Sequence, residues 1–257
     1  MLSSLEKRAL MELFSIGFAA SLIAGLATGA GALPVAFVKK VSDNILDILL
    51  GFAAGVMLAA TAFSLLVPAI QLGGPIISAI SLGAGALIIH LIDQFTPHFH
   101  PVAGAEGPPS RLSRVWLMII AITIHNFPEG LAVGVSFGFG NITSGLIIAT
   151  AIGLQNMPEG LAVALPLLRE KYSASKAVGY ATLTGLIEPL GGLLGLTLVS
   201  ISHSFLPWGL AFAAGAMLFV VADEMVPESH KKGFGREATF GLVAGFIIMM
   251  LLDSIFK

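Results

Sequence analysis

Residues 125–133 read His-Asn-Phe-Pro-Glu-Gly-Leu-Ala-Val and residues 155–163 read Gln-Asn-Met-Pro-Glu-Gly-Leu-Ala-Val, with seven of nine positions shared. Each copy lies within an apolar run long enough to cross a bilayer, which takes about 20 residues. Consecutive spans run antiparallel, so one motif is presented twice in opposite directions. A second echo links Phe52-Ala-Ala-Gly-Val-Met57-Leu to Phe212-Ala-Ala-Gly-Ala-Met217-Leu, again on spans expected to run oppositely. Together the echoes predict an inverted repeat of three helices on either side of a central pair, a 3+2+3 arrangement of the kind that builds polar sites near the membrane midplane.

The composition demands lipid as solvent. Of 257 residues, 56% are hydrophobic and 11% charged, and the mean hydropathy is +0.94. So few charges cannot coat a water-soluble globule. Period-two alternation is absent, which leaves an all-α integral membrane protein as the fold class. The lack of cysteine excludes disulfides, thiolate zinc sites, iron-sulfur clusters and thiol nucleophiles, so any metal must be held by imidazole, carboxylate, amide or thioether. A net charge of −2, with the basic residues in loops and tails, offers no nucleic-acid surface. The apolar run after Lys7 and Arg8 continues to about Leu33, too long for the core of a signal peptide, and is read as the first span.

Runs separated by polar or Pro/Gly punctuation predict eight helices in a single transmembrane domain, near residues 10–37, 45–71, 74–95, 115–139, 144–168, 175–202, 207–229 and 237–256. Lys and Arg orient them. Loops after odd-numbered helices hold Lys39, Lys40, Arg111, Arg114, Arg169, Lys171, Lys176, Lys231, Lys232 and Arg236, against Lys7, Arg8 and Lys257 on the other side. The odd loops are therefore expected in the cytoplasm and both termini outside, in a multi-pass protein of the cell (inner) membrane. The segment 96–114, with Pro97, Pro101, Pro108 and Pro109 and the pair His98 and His100, reads as a flexible cytoplasmic loop.

Glu129, Glu159 and Glu188 fall at matching depths mid-helix, where an ionised carboxylate costs about 2.5–3.5 kcal/mol or more and needs a partner. No Lys or Arg shares that depth. A bound cation fills the role; protonation with hydrogen bonding is the other solution. His125 and Glu129, four residues apart, project from one helix face, and Gln155 and Glu159 repeat the geometry. Asn126 and Asn156 stand one position on, turned by about 100 degrees, within reach of a second ion that a glutamate bridges. Pro128, Pro158 and Pro189 lie beside the three glutamates, freeing the carbonyls of Ile124, Leu154 and Gly185 to face an ion or to kink the helix. Met57 offers a thioether at similar depth, or a packing residue. His90, Asp93, His98, His100, Asp223, Glu224, Glu228 and His230 form a second polar set near the cytoplasmic ends, read either as inner-side metal ligands or as solvated helix-end residues. Small-residue pairs such as Gly25/Gly29, Gly51/Gly55, Gly130/Gly134 and Gly191/Gly195 permit close helix approach.

The run HNFPEG, then QNMPEG, then Glu188-Pro189 resembles the ZIP (Zrt/Irt-like) divalent metal transporter family, in particular its bacterial GufA-like branch, over essentially the whole chain. The resemblance implies a binuclear site, with His125, Glu129, Gln155, Glu159 and Met57 matching a first metal position and Asn126, Glu129, Asn156, Glu159 and Glu188 a second. It implies no prosthetic group, transported Zn²⁺ with Cd²⁺, Fe²⁺, Mn²⁺ or Co²⁺ in various members, a homodimer, and an elevator-like movement of helices one, four, five and six. Where some relatives carry Asp in the fifth-helix motif this chain has Asn156, and where others carry His it has Gln155.

The expectation is a transporter, not an enzyme, importing a divalent transition metal, most readily zinc. A passive metal-selective channel shares the same site. An intramembrane zinc hydrolase using Glu129 as general base is disfavoured, because His125 is the only central histidine and H-E-x-x-H is missing.

Overall fold

The computed structural model describes residues 4–38, 41–100, 104–137, 142–231 and 233–256, with side chains for these except residues 4–10, 100, 114 and 256. Its helices are α1 (Ser4–Ala32), α2 (Asp43–Ala59), α3 (Val67–Phe95), α4 (Arg114–Ser136), α5 (Ile142–Arg169), α6 (Ala174–Gly185), α7 (Glu188–Ile201), α8 (Leu206–Val220), α9 (Val226–Ser229) and α10 (Gly235–Phe256). Serine hydroxyls cap two of them: Ser42 accepts from the Ile45 N–H and Ser173 from the Lys176 N–H, satisfying donors that a helix start leaves open.

Seven helical stretches among the described residues are long and apolar enough to cross a membrane. The longest, Asp43–Phe95, has 53 residues, about 80 Å at 1.5 Å per residue, against a hydrocarbon core of about 30 Å. It is interrupted at Gly74, whose φ of 78° and ψ of 169° suit only a residue without Cβ. Pro75 follows, with no N–H to give. The break thus falls at the Gly73-Gly74-Pro75 punctuation between two apolar runs.

Two other runs are less continuous than the sequence suggests. Residues 175–202 form two helices, α6 and α7, with Leu186 and Ile187 between them, because Pro189 cannot donate to the Gly185 carbonyl and the chain restarts its ladder at Glu188. Residues 207–229 comprise α8, a π-helical segment Val221–Met225, and α9. A matching π-helical segment, Ala60–Leu66, joins α2 to α3. Such wide turns rotate the following residues relative to an α-helix and cluster at functional sites. Between α3 and α4, where composition predicts a loop, β1 (His98–His100) pairs antiparallel with β2 (Gly104–Glu106).

The bundle is apolar outside and polar within. Ile23, Ile76 and Phe240 are 68%, 75% and 70% exposed, whereas Asn126, Glu129, Asn156 and Glu188 are fully buried. Lipid replaces water on the outside, so polar groups belong where helices or a cavity surround them. The principal helix pairs are α2 with α10, α3 with α8, α1 with α5, and α4 with α7.

Glycines set the closest approaches. A Cβ on Gly55 would lie 1.9 Å from the Leu242 carbonyl oxygen, and one on Gly215 would lie 1.9 Å from that of Leu82. Gly85 meets the Phe212 carbonyl and Gly245 that of Phe52, while Gly25 and Gly185 each meet the other's carbonyl. One constant residue offset converts each of these contacts into its mate, and converts the Gly25–Gly185 contact into itself. By contrast, Gly83 and Gly179 have nothing within 4 Å of a built Cβ. Gly55→Val should therefore cost more than about 3 kcal/mol or prevent folding, while Gly83→Ala should stay within about 0.5 kcal/mol of wild type. Melting curves in detergent, read by size exclusion after heating, measure both.

Candidate metal centre

Both Pro-Glu-Gly motifs lie inside long helices. Their prolines remove backbone donors without ending the helix, and neighbouring helices bury both. His125, Asn126 and Glu129 project from α4, Gln155, Asn156 and Glu159 from α5, and Glu188 is the first residue of α7. All seven are buried, with His125 at 8% and Glu159 at 7% the most exposed.

Two amides tie these carboxylates together. Gln155 Nε2 donates to Glu129 Oε1 at 2.7 Å, linking the two motif helices. Asn156 Nδ2 donates to Glu188 Oε1 at 2.7 Å and to the Ala24 carbonyl at 2.8 Å, joining α5 to α7 and α1. Each amide spends its N–H on an acceptor, which turns its own oxygen away. The buried atoms left without a hydrogen-bond partner include Glu129 Oε2, Gln155 Oε1, Asn156 Oδ1, Glu159 Oε1, Glu188 Oε2 and both amide atoms of Asn126. Nearly all are acceptors, and a buried acceptor without a donor is costly. No Lys or Arg occurs between Arg114 and Arg169 or between Lys176 and Lys231. A cation satisfies several such oxygens at once.

His125 is committed elsewhere. Its Nε2 pairs with Glu224 Oε2, from the π-helical segment after α8. With Glu159 and Glu228 they line a cavity of about 40 Å³ that reaches Phe99 on β1, larger than the roughly 10–15 Å³ one water centre needs. Glu224 and Glu228 thus adjoin the central site, although sequence places them with a separate inner set.

The rest of that set disperses. His98 is fully buried, its Nδ1 2.7 Å from the Thr96 carbonyl and its Nε2 4.0 Å from Asp93 and 3.5 Å from Glu106. This anchors the hairpin. His90 is exposed, with its ring 5.8 Å from that of Phe219. His230 bonds Ser229 and the Val226 carbonyl through Nδ1 and Thr239 through Nε2, binding the end of α9 to α10. Asp223 is exposed. The His100 side chain lies outside those described, as do the Lys39, Lys40, Lys232 and Lys257 residues of the charge count. Met57 belongs to the apolar core, and its sulfur takes part in neither the amide–carboxylate bonds nor the cavity just described.

Among the described residues, no three His, Asp or Glu side chains stand close enough to hold an ion by themselves. The donors that complete the set are amides, and the carboxylates are spaced by them. Sequence reading missed the contribution of α1, whose Ala24 carbonyl accepts from Asn156. The signal for it is the Gly25/Gly29 pair, which brings α1 against α6: Gly25 faces the Gly185 carbonyl and Gly29 the Thr182 hydroxyl.

Asn156→Leu removes both donated bonds and leaves Glu188 without a donor, so the protein should lose about 1–3 kcal/mol of stability. Adding Glu188→Gln should restore part of it, a coupling that a double-mutant cycle of melting temperatures reads. Additive losses would mean that the two side chains do not interact.

Comparison with known proteins gives the family. Residues 103–253 match the ZIP zinc transporter family model. The chain is 45% identical to zinc transporter GufA of Myxococcus xanthus over 92% of this chain and 97% of that one. It is 44% identical to zinc transporter ZIPB of Bordetella bronchiseptica over 89% of this chain and 77% of that one. It is 37% identical to zinc transporter ZupT of Chlorobium chlorochromatii over 91% of this chain and 95% of that one. With its polar interior, its apolar exterior and these relatives, the chain belongs to the ZIP family, whose members are multi-pass membrane transporters and not enzymes.

Proposed function

We propose that this protein imports zinc into the cytoplasm through the α4, α5 and α7 site, with Cd²⁺, Fe²⁺, Mn²⁺ and Co²⁺ as competing cargo. The carrying observation is the set of buried oxygens on Glu129, Gln155, Asn156, Glu159 and Glu188 that lack a donor, in spans without Lys or Arg. The relatives named as zinc transporters support the choice of ion. So does the donor chemistry, since one imidazole among oxygen ligands suits a borderline divalent ion bound loosely enough for release.

The site is read as binuclear. His125, Glu129, Gln155 and Glu159, with Met57, serve one ion, and Asn126, Asn156 and Glu188 serve a second that shares Glu129 and Glu159. Ions leave past Glu224 and Glu228, toward the side the Lys and Arg count assigns to the cytoplasm. His90, Asp93, His98, His100 and His230 are outlying residues on that side.

The architecture is read as eight spans in an inverted 3+2+3 repeat, with both termini outside the cell membrane. The supporting facts are the constant offset among glycine contacts, the π-helical segments that follow both Phe-Ala-Ala-Gly-x-Met runs, and the break at Gly74. An elevator-like movement, with α1, α4, α5, α6 and α7 carrying the site past α2, α3, α8 and α10, draws support from how the helices pair within each group. An apolar groove of about 410 Å³, lined by Ile88, Phe127, Leu131, Leu198 and Phe212, lies between α3 and α8 of one group and α4 and α7 of the other. The homodimer rests on family resemblance.

In proteoliposomes, zinc uptake is expected to saturate, and Glu159→Ala to abolish it while the purified variant keeps its size-exclusion profile. Wild-type uptake by Glu159→Ala would remove the assignment.

A further inference from the structure

Thr28, on α1, is fully buried, and its Oγ1 has no hydrogen-bond partner. Among the described residues, the Thr61 hydroxyl is the other buried one without a partner. Thr123, Ser136, Thr182 and Thr197 all return their hydroxyls to the carbonyl four residues earlier, the ordinary resting place of a hydroxyl within a helix. For Thr28 that carbonyl is Ala24, and Asn156 Nδ2 already occupies it. The same amide group holds Glu188 Oε1. The residue that organises the Glu188 carboxylate therefore also holds the carbonyl to which the Thr28 hydroxyl would ordinarily return.

The glycine contacts give its surroundings. Gly25 and Gly185 face each other's carbonyls; Glu188 Oε1 lies 3.4 Å from a Cβ built on Gly25, and Thr28 Oγ1 lies 2.9 Å from one built on Gly185. Gly130 of the first motif meets the Glu188 carbonyl, and Gly160 of the second meets the Thr28 carbonyl. The offset that interchanges Gly25 and Gly185 also interchanges Thr28 and Glu188. By that offset they hold equivalent places, Glu188 against Gly130 and Thr28 against Gly160, one with a carboxylate and the other with a hydroxyl.

We propose that Thr28 is a specificity-determining residue of the transport site, its hydroxyl oxygen serving as a neutral, hard ligand opposite Glu188. This rests on the zinc-transport reading above. The hydroxyl supplies an oxygen without the charge its mate carries, which favours harder ions such as Mn²⁺ over softer ones such as Cd²⁺.

The test uses the full chain in proteoliposomes, with zinc uptake competed by Mn²⁺ and by Cd²⁺. Thr28→Val keeps the shape and removes the hydroxyl; it should raise the KM for zinc about tenfold and weaken competition by Mn²⁺ relative to Cd²⁺. Thr28→Ser should behave as wild type. Thr28→Cys adds the first thiol to a chain that has no cysteine, so Cd²⁺ added to this variant should give the ultraviolet absorption of a cadmium–thiolate bond, a readout independent of transport and of whether the valine variant folds. A Thr28→Val protein with unchanged KM and competition, or a Thr28→Cys protein without the band, overturns the inference. If Glu159→Ala still abolishes uptake in those preparations, the transport reading stands without Thr28; if Glu159→Ala transports normally, both fall.

Discussion

A carboxylate in the middle of a bilayer has to be matched by something, and Glu129, Glu159 and Glu188 have no basic side chain in the spans around them. Much of the interior follows from that constraint. Gln155 and Asn156 neutralise nothing, but their N–H groups each hold one carboxylate oxygen in place and leave the other facing inward. His125, the one imidazole at this depth, is engaged by Glu224 from a helix outside the motif pair. The interior is thus partly organised by its own hydrogen bonds and left short of positive charge. That combination favours a mobile cation over a permanent structural salt bridge, since a buried ion pair would lock the charge.

Close helix approach makes the arrangement possible. Side chains as short as Asn bridge three helices only if their backbones lie nearly in contact, and in lipid that contact comes from small residues instead of hydrophobic burial. Gly25, Gly130, Gly160 and Gly185 bring α1, α4, α5, α6 and α7 together around the carboxylates, each lying where any larger residue would strike a backbone carbonyl. Packing and chemistry are inseparable there: the glycines of the Pro-Glu-Gly motifs admit Glu188 and Thr28 beside the glutamates of the same motifs.

The paired motifs, the helical class, the lipid solvent and the burial of the motif carboxylates and amides were legible because each is written in local sequence: a run, a spacing, a missing cysteine. What sequence left open were relations between distant residues. Glu224 lies far along the chain from His125, and nothing local marks their pairing. The split before Glu188 is implied by Pro189, yet hydropathy runs smoothly through it. The hairpin at His98 depends on a buried histidine contacting Asp93 and Glu106, while proline content alone suggests a plain loop. Thr28 is silent in sequence, since a threonine in an apolar helix ordinarily bonds its own backbone, and the Asn156 bond to the Ala24 carbonyl is a long-range contact.

The internal correspondence also shows where the two halves differ. His125 corresponds to Gln155, Glu188 to Thr28, and Glu224 to Ser64, whose hydroxyl donates to Asp253. In each pairing the ionisable member is matched by a neutral one, while Glu129 and Glu159 correspond to each other unchanged. The shared glutamates are what both halves need, and the other pairs bias the interior. On the proposed reading, a dication would meet imidazole and carboxylate on one side and amide and hydroxyl on the other, so its interaction free energy would differ between two arrangements that exchange those sides. A sequence with perfect internal symmetry would hold the ion equally in both. On that reading, departure from symmetry at such positions, with the central carboxylates retained, would let one polar centre be stabilised differently by the two faces of the bundle.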